Sequence, residues 1–425
     1  MRLSSNSFRS AAVIALALSA FLFPRPSQSA EKEKKPVTQY WMTAATQNMS
    51  MPGMSEGMAG LGALFGKVPG LGPTRSLHLQ LNSPKALPSG PDATHDIPPA
   101  QKMGETLPLL IPEHEKAGPE RYEEKEAHEE KVEKPKARML IYWGCGEEVR
   151  KGQPLVIDTE KMGPAEFGKA FAGRTPARQY PPSERKGWIY ADWPNRKNPV
   201  EVPKDGSLIG GHFVHGNYTP DIKFTIDQRH DFMAPVEFTS LKGSVEESIR
   251  FEWEKIPTAI GYFATAMAHN DKTGETIFWS SSEVKETGFG LMDYLTPGDV
   301  ERFIRERVVM KPETTTCNIP KGIFEDAGGM LQFIAYGEDL NITHPPKPKD
   351  PKEAWNPIWT VKVRLKSTGM TPLGGEEREM KRPGKKQTER SEEESAEKPE
   401  EAEKETGKKE EAPTPLKKLK GLFGF

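Results

Sequence analysis

Short runs in which apolar and polar residues strictly alternate recur along this chain, and they constrain its fold more than any other feature. The clearest is Ile249, Phe251 and Trp253, alternating with Arg250, Glu252 and Glu254. Successive side chains of a strand point to opposite sides, so a period of two marks a strand with one face on a core. Pro257 cannot donate to a ladder and ends the run. Residues 262–267 follow as a second apolar run, so residues 248–266 read as a hairpin. The turn cluster Asn270-Asp271-Lys272-Thr273-Gly274 leads to a third strand starting at Thr276. Leu77, Leu79 and Leu81 alternate in the same way, as do Ile222, Phe224 and Ile226. Residues 138–143 are apolar on both sides and predict a central strand. Residues 39–46 also fit a strand, with Tyr40 and Met42 on one side and Trp41 on the other. The expected fold is mainly β: two β-sandwich-like domains with short helices, disordered linkers and a charged C-terminal tail.

Length and composition set the outer limits. The 425 residues leave room for two domains plus extensions. Only 35% are hydrophobic, with 38 Gly and 39 Pro, so sizeable segments are expected to lack a packed core. Net charge is −2, which gives no overall field for nucleic acid or an anionic membrane surface. Residues 1–29 read as a signal peptide: Arg2 and Arg9 precede the short apolar run 11–23, and small residues stand at Ser27 and Ser29. No later segment has the length and apolarity of a membrane span. The expected organisation continues with a flexible Met/Gly-rich segment 30–74 and a β domain 75–229 carrying a charged insertion at 113–136. A second domain at 230–368 and a disordered charged tail at 369–425 complete it. Inside the second domain Thr296, Pro297 and Asp299 form a helix start, and Val300, Phe303, Ile304 and Val308 form its apolar stripe.

Trp253 at the end of one strand, the Ile256-Pro257 turn, and Gly261-Tyr262 opening the next resemble the B and C strands of a fibronectin type III or immunoglobulin-like sandwich. Residues 314–324 and 328–337 are similar to the E and F strands of such modules. The resemblance spans about residues 234–367, with a helical insertion, and implies a binding or spacer module. Fold alone does not give function. The whole chain also resembles uncharacterised exported bacterial proteins, which implies a periplasmic or secreted place in the cell envelope.

Export bears on the two cysteines, Cys145 and Cys317. In an oxidising compartment they either pair, stapling the two halves, or stay as two buried thiols. Two cysteines alone do not close a zinc site, which needs four ligands. Met49, Met51, Met54 and Met58 offer soft thioethers suited to Cu(I), or simply an adaptable apolar linker. His212 and His215 are three apart on a strand and point to opposite faces, so they are expected to be structural or exposed rather than joint ligands.

Motifs for acyl transfer, zinc hydrolysis and phosphate binding are missing from the sequence, and no catalytic, cofactor or metal residue is assigned. Residues 416–425 form a basic amphipathic end. Leu416, Leu419, Leu422 and Phe423 share a helical face, Lys417, Lys418 and Lys420 lie elsewhere, and Phe425 closes the chain. On its long tether this end suits contact with a membrane surface or with an envelope protein. The leading expectation is a non-enzymatic binding or scaffold protein of the envelope. Carbohydrate binding or carbohydrate-active chemistry through Trp143, Trp188, Trp193, Trp355 and Trp359 is the first alternative, and copper handling by the methionines the second.

Overall fold

The computed structural model describes residues 36–49, 72–113, 137–170, 172–194, 200–373 and 378–379. The chain divides into two units, Met1–Lys381 and Arg382–Phe425, and every described residue belongs to the first. The expected signal peptide at 1–29, most of the expected insertion at 113–136 and the expected amphipathic end at 416–425 lie outside the described residues.

Among the described residues are eighteen strands and two α-helices. The strands are β1 (Thr38–Met49), β2 (Thr74–Ser83), β3 (Ala93–Asp96), β4 (Thr106–Pro108), β5 (Arg138–Trp143), β6 (Leu155–Asp158), β7 (Ile189–Trp193), β8 (Gly210–Gly216) and β9 (Ile222–Ile226). They continue as β10 (Phe238–Lys242), β11 (Ile249–Trp253), β12 (Ala259–Asn270), β13 (Glu275–Ser280), β14 (Thr316–Ile319), β15 (Gly329–Gly337), β16 (Leu340–His344), β17 (Trp359–Leu373) and β18 (Arg378–Glu379). The helices are α1 (Pro164–Ala170) and α2 (Pro297–Arg305).

A ten-stranded sheet runs in the order β6-β5-β13-β12-β15-β17-β1-β2-β7, with β16 pairing beside β17. Two four-stranded sheets pack on its inner face. Sheet II is β14-β11-β10-β18, and sheet III is β4-β3-β8-β9. The aromatic contacts show how they pack. Trp253 of β11 meets Phe333 of β15 at 4.7 Å and Tyr262 of β12 at 5.6 Å between ring centroids, and Phe251 meets Trp279 of β13 at 6.2 Å. Sheet III meets β1 through Tyr40, whose ring centroid lies 6.2 Å from that of Phe224 on β9. The fold is therefore mainly β with two sandwich-like arrangements, and both rest on one continuous sheet.

That continuity alters the expected boundaries. The segment 30–74 contributes β1, which sits between β17 and β2. Its parallel register with β17 runs from Thr38 opposite Trp359 to Met49 opposite Met370. Likewise β5 and β6, from the first half, pair onto β13 of the second half rather than joining β2 and β7. The division at residue 230 is thus a division of the inner sheets and not of the outer one. Alternation reveals that a segment is a strand; it carries no information on which strand lies beside it.

The hairpin expected at 248–266 is also different. β11 belongs to sheet II and β12 to the large sheet, so the Pro257 turn crosses between layers. Lastly, the tail boundary at Gly369 falls inside β17, which alternates buried and half-buried residues through Leu373. Gly369 is there because space is short: a Cβ on it would stand 2.7 Å from Val236 Cγ1 and 3.4 Å from Phe238.

α2 begins as its sequence predicts. The Thr296 hydroxyl accepts from Asp299 N at 3.2 Å and donates to Asp299 Oδ2 at 2.9 Å. Val300, Phe303 and Val308 pack with Phe263, Ile334 and Tyr336 on the outer face of the large sheet.

Candidate functional site

The outer face of the large sheet is covered unevenly. At one end α1 stands over Ile141 and Ile157, and in the middle α2 and its loop cover Phe263, Ile334 and Tyr336. From β17 through β1 and β2 to β7, no helix lies on it among the described residues. The register fixes which side chains point out there. Inward residues Tyr40, Leu81 and Val361 share one side, so Trp41, Lys362, Gln80 and their alternates share the other. Pairing of Gln80 with Asp192 and Asn82 with Tyr190 extends the outward face to β7.

Five of these groups stack as an alternating ladder of cations and rings. Lys362 Nζ lies 5.1 Å from the Trp41 ring centroid, and Arg364 Cζ lies 5.2 Å from the same ring. Arg364 is also 4.5 Å from the Tyr294 centroid, and Lys366 Nζ is 4.3 Å from it. The cations are two residues apart on β17, so one strand presents all three on one side. Each such contact is worth about 0.5–2 kcal/mol, more where water is excluded. Asp339 and Asp293 pair the two lysines, each at 2.8 Å. Burial raises the Asp339 carboxyl above its ordinary value despite Lys362. Burial pushes Asp293 the same way, but Lys366, the Tyr294 backbone N–H and Arg364 together outweigh it and hold that carboxyl low. Arg364 makes its one described side-chain bond from Nε to Thr43 Oγ1 at 3.0 Å.

A strap of extended chain, residues 172–188, leaves α1 beside β6 and crosses this face to enter β7. Buried carboxylates hold it. Glu286 Oε2 accepts from Arg174 N at 2.8 Å, and Asp299 Oδ2 accepts from Ala177 N at 2.8 Å. A side chain at Gly173 would bring its Cβ to 2.3 Å from Glu286 Oε1, so close passage over that acid requires glycine. Further along, Gln179 Nε2 donates to Tyr294 O and Gln80 Nε2 to Pro182 O, both at 3.0 Å.

Where the strap meets β7 it forms a cleft of about 460 Å³ lined by Leu87, Ile111, Glu184, Arg185, Trp188 and Tyr190. The Arg185 guanidinium lies 3.3 Å above the Trp188 ring. Tyr190 donates to Asp192 Oδ2 at 3.0 Å, and burial raises its hydroxyl to about 12. Asn82 Oδ1 and Asp192 Oδ1 are buried with no partner among the described residues. His78 Nε2 is 3.9 Å from Asp192 Oδ2, and burial lowers its proton affinity. This end of the sheet thus brings rings and cations together above two buried, unfilled acceptors.

The opposite, inner face of β1 carries a polar chain that the sequence did not reveal. Tyr40 OH lies 2.8 Å from His95 Nδ1, His95 Nε2 is 2.9 Å from His212 Nδ1, and His212 Nε2 is 2.7 Å from Leu208 O. Tyr40 and His95 are completely buried and His212 almost so. The carbonyl only accepts, so His212 carries its proton on Nε2 and accepts on Nδ1. His95 then donates from Nε2 and accepts on Nδ1 from Tyr40. Two signals were present: His212 alternates with Val214 along β8, and His95 sits between Thr94 and Asp96 in a short strand. Each looks like an isolated histidine until the strands are placed side by side.

The residues singled out in the sequence fall in several places. Cys145 and Cys317 sit at disulfide distance, 2.09 Å between sulfurs and 5.2 Å between Cα atoms, tying the loop after β5 to β14. His212 and His215 do point to opposite faces, and His215 lies 3.1 Å from Asp96 on the exposed side of sheet III. Trp193 and Trp359 are core residues, Trp143 ends β5, next to the edge strand β6 at the far end of the sheet, Trp188 lines the cleft, and Trp355 is in a loop. The five tryptophans therefore do not form one surface. Met49 is exposed at the end of β1, while Met51, Met54 and Met58 lie outside the described residues. So do Leu416, Lys417, Lys418, Leu419, Lys420, Leu422, Phe423 and Phe425. No helix among the described residues is long and apolar enough to cross a membrane. No protein-family model matches the chain, and no curated protein matches it.

Proposed function

We propose that this chain is an exported, non-enzymatic binding or scaffold protein of the bacterial cell envelope, and that the helix-free end of its large sheet is the surface it presents. One observation carries this reading: the outer face is closed by apolar helix packing over β12 and β15, but from β17 to β7 it is crossed, among the described residues, only by the extended strap and a ladder of rings and cations. Rings and cations held together on one face in this way suit contact with a partner. Export rests on the residue pattern of 1–29, and the basic end at 416–425 supplies a second contact with a membrane surface or an envelope protein.

The second half is read as a fibronectin type III-like module. In immunoglobulin-like sandwiches the A, B and E strands oppose C, F and G. Here β10, β11 and β14 oppose β12, β15 and β17, an order that supports the reading. Binding rather than catalysis is what such modules contribute.

The test is photo-crosslinking in the cell. A crosslinking amino acid at Gln39 or Ser76, outward on β1 and β2, is expected to capture one common envelope component. The same group at Arg250, on the exposed side of sheet II, is expected to capture none. Equal yields from all three positions, or none from any, would remove the assignment.

A sugar-binding reading has one feature in its favour, the cleft where Trp188, Tyr190 and Glu184 line a single opening. Glycan binding that disappears in Trp188→Ala is its expected signature.

A further inference from the structure

We propose that the Tyr40–His95–His212 chain is an acid-released latch, holding sheet III against the large sheet at neutral pH and letting it open when an imidazole takes up a proton. The chain has no place for an added proton. On His212 Nδ1 it would set two N–H donors against each other. On His95 Nδ1 it would force Tyr40 to accept, turning the Tyr40 O–H into the apolar interior. Either way a charge is created with no counter-charge beside it.

Among the described residues, the surroundings offer no such counter-charge. Phe224 stacks on His212, with centroids 5.0 Å apart and planes 9° apart, and Tyr40 meets His95 edge-on at 5.4 Å. Charged groups on the neighbouring elements are engaged elsewhere. Asp96 pairs with His215 on the exposed side of β3 and β8, and Lys223 of β9 lies over Phe213. Asp231 accepts from Leu208 N and Ser207, behind the carbonyl that ends the chain. Burial accordingly lowers the proton affinity of both imidazoles, His95 most, with His212 adding to the effect on His95.

The sign follows from linkage. Groups that bind protons less readily when folded favour the closed form above their ordinary value, near 6.5, and lose that advantage as pH falls below it. Opening that frees both imidazoles takes up two protons, so its equilibrium constant rises up to about 100-fold per pH unit below that value.

Hydrogen exchange on the full chain between pH 7.5 and 5, with intrinsic exchange rates divided out, measures this directly. Amides of β3, β8 and β9 are expected to show the steep rise, and those of β10, β11 and β14 are not. His212→Gln supplies a control that does not titrate. Its amide oxygen accepts from His95, its amide nitrogen donates to Leu208 O, and the slope is expected to fall to about 10-fold per unit. Nitrogen NMR of the wild-type imidazoles gives an independent readout: both stay neutral, with the proton on Nε2, while sheet III is closed. An imidazole that titrates near 6.5 with sheet III still protected overturns the latch. So does a slope unchanged in His212→Gln.

Discussion

Single side chains in this molecule act mostly by finishing hydrogen bonds that burial would otherwise leave open. Tyr262 is completely buried, and its hydroxyl accepts from Ile256 N at 3.1 Å, just where the chain crosses from sheet II to the large sheet. Tyr262→Phe leaves that N–H unpaired, and a loss of about 1–3 kcal/mol is expected in denaturant unfolding. At Gly369 the constraint is space. Gly369→Ala pushes a methyl group into Val236, which costs about 1–3 kcal/mol by overpacking, whereas an alanine at the loop residue Gly328 meets no atom within 4 Å. If the two alanine variants unfold alike, the close packing of β10 on β17 is not what demands glycine. Arg364 is different again, since its neighbours are rings. Arg364→Lys keeps the charge but cannot stack a flat group between Trp41 and Tyr294, so the change is expected to weaken the crosslinking from Gln39.

At the scale of elements, legibility in the sequence depended on whether the information was local. Strands β2, β9 and β11 were readable because each alternates within its own few residues, and α2 because Thr296, Pro297 and Asp299 announce its start. The outward row Lys362, Arg364 and Lys366 was equally local, but its meaning needed Trp41 and Tyr294, which come from far along the chain. For the same reason the strap at 172–188 carries no local signal of its role. Its anchors, Glu286 and Asp299, lie more than a hundred residues later. Glu286→Ala removes the acceptor for Arg174 N and Gly288 N and is expected to expose the strap. Limited proteolysis should then cut first after Arg178 or Lys186, with the rest of the fold intact. Cutting elsewhere would mean that the acid supports the core rather than the strap.

For the whole molecule, the continuous sheet makes the two sandwich-like arrangements one cooperative body. Calorimetry of the oxidised protein is expected to show a single transition, since separating sheets II and III would still require breaking β1 from β17. Two resolved transitions would restore the two-domain division. The Cys145–Cys317 bond closes a loop of sequence separation 172, and reduction is expected to cost roughly 5 kcal/mol in the chain-entropy account. The parallel pairing of β1 with β17 also sets an order of events. The first described strand has no inner neighbour other than β2 until residues 359–373 have been made. A ribosome therefore releases most of this polypeptide before its central seam can close, and the early part waits with an open strand edge. For the export proposed above, such a delay would keep the chain open for passage as a thread. Nascent chains ending before Trp359 are accordingly expected to remain protease-sensitive, and those carrying β17 to become resistant.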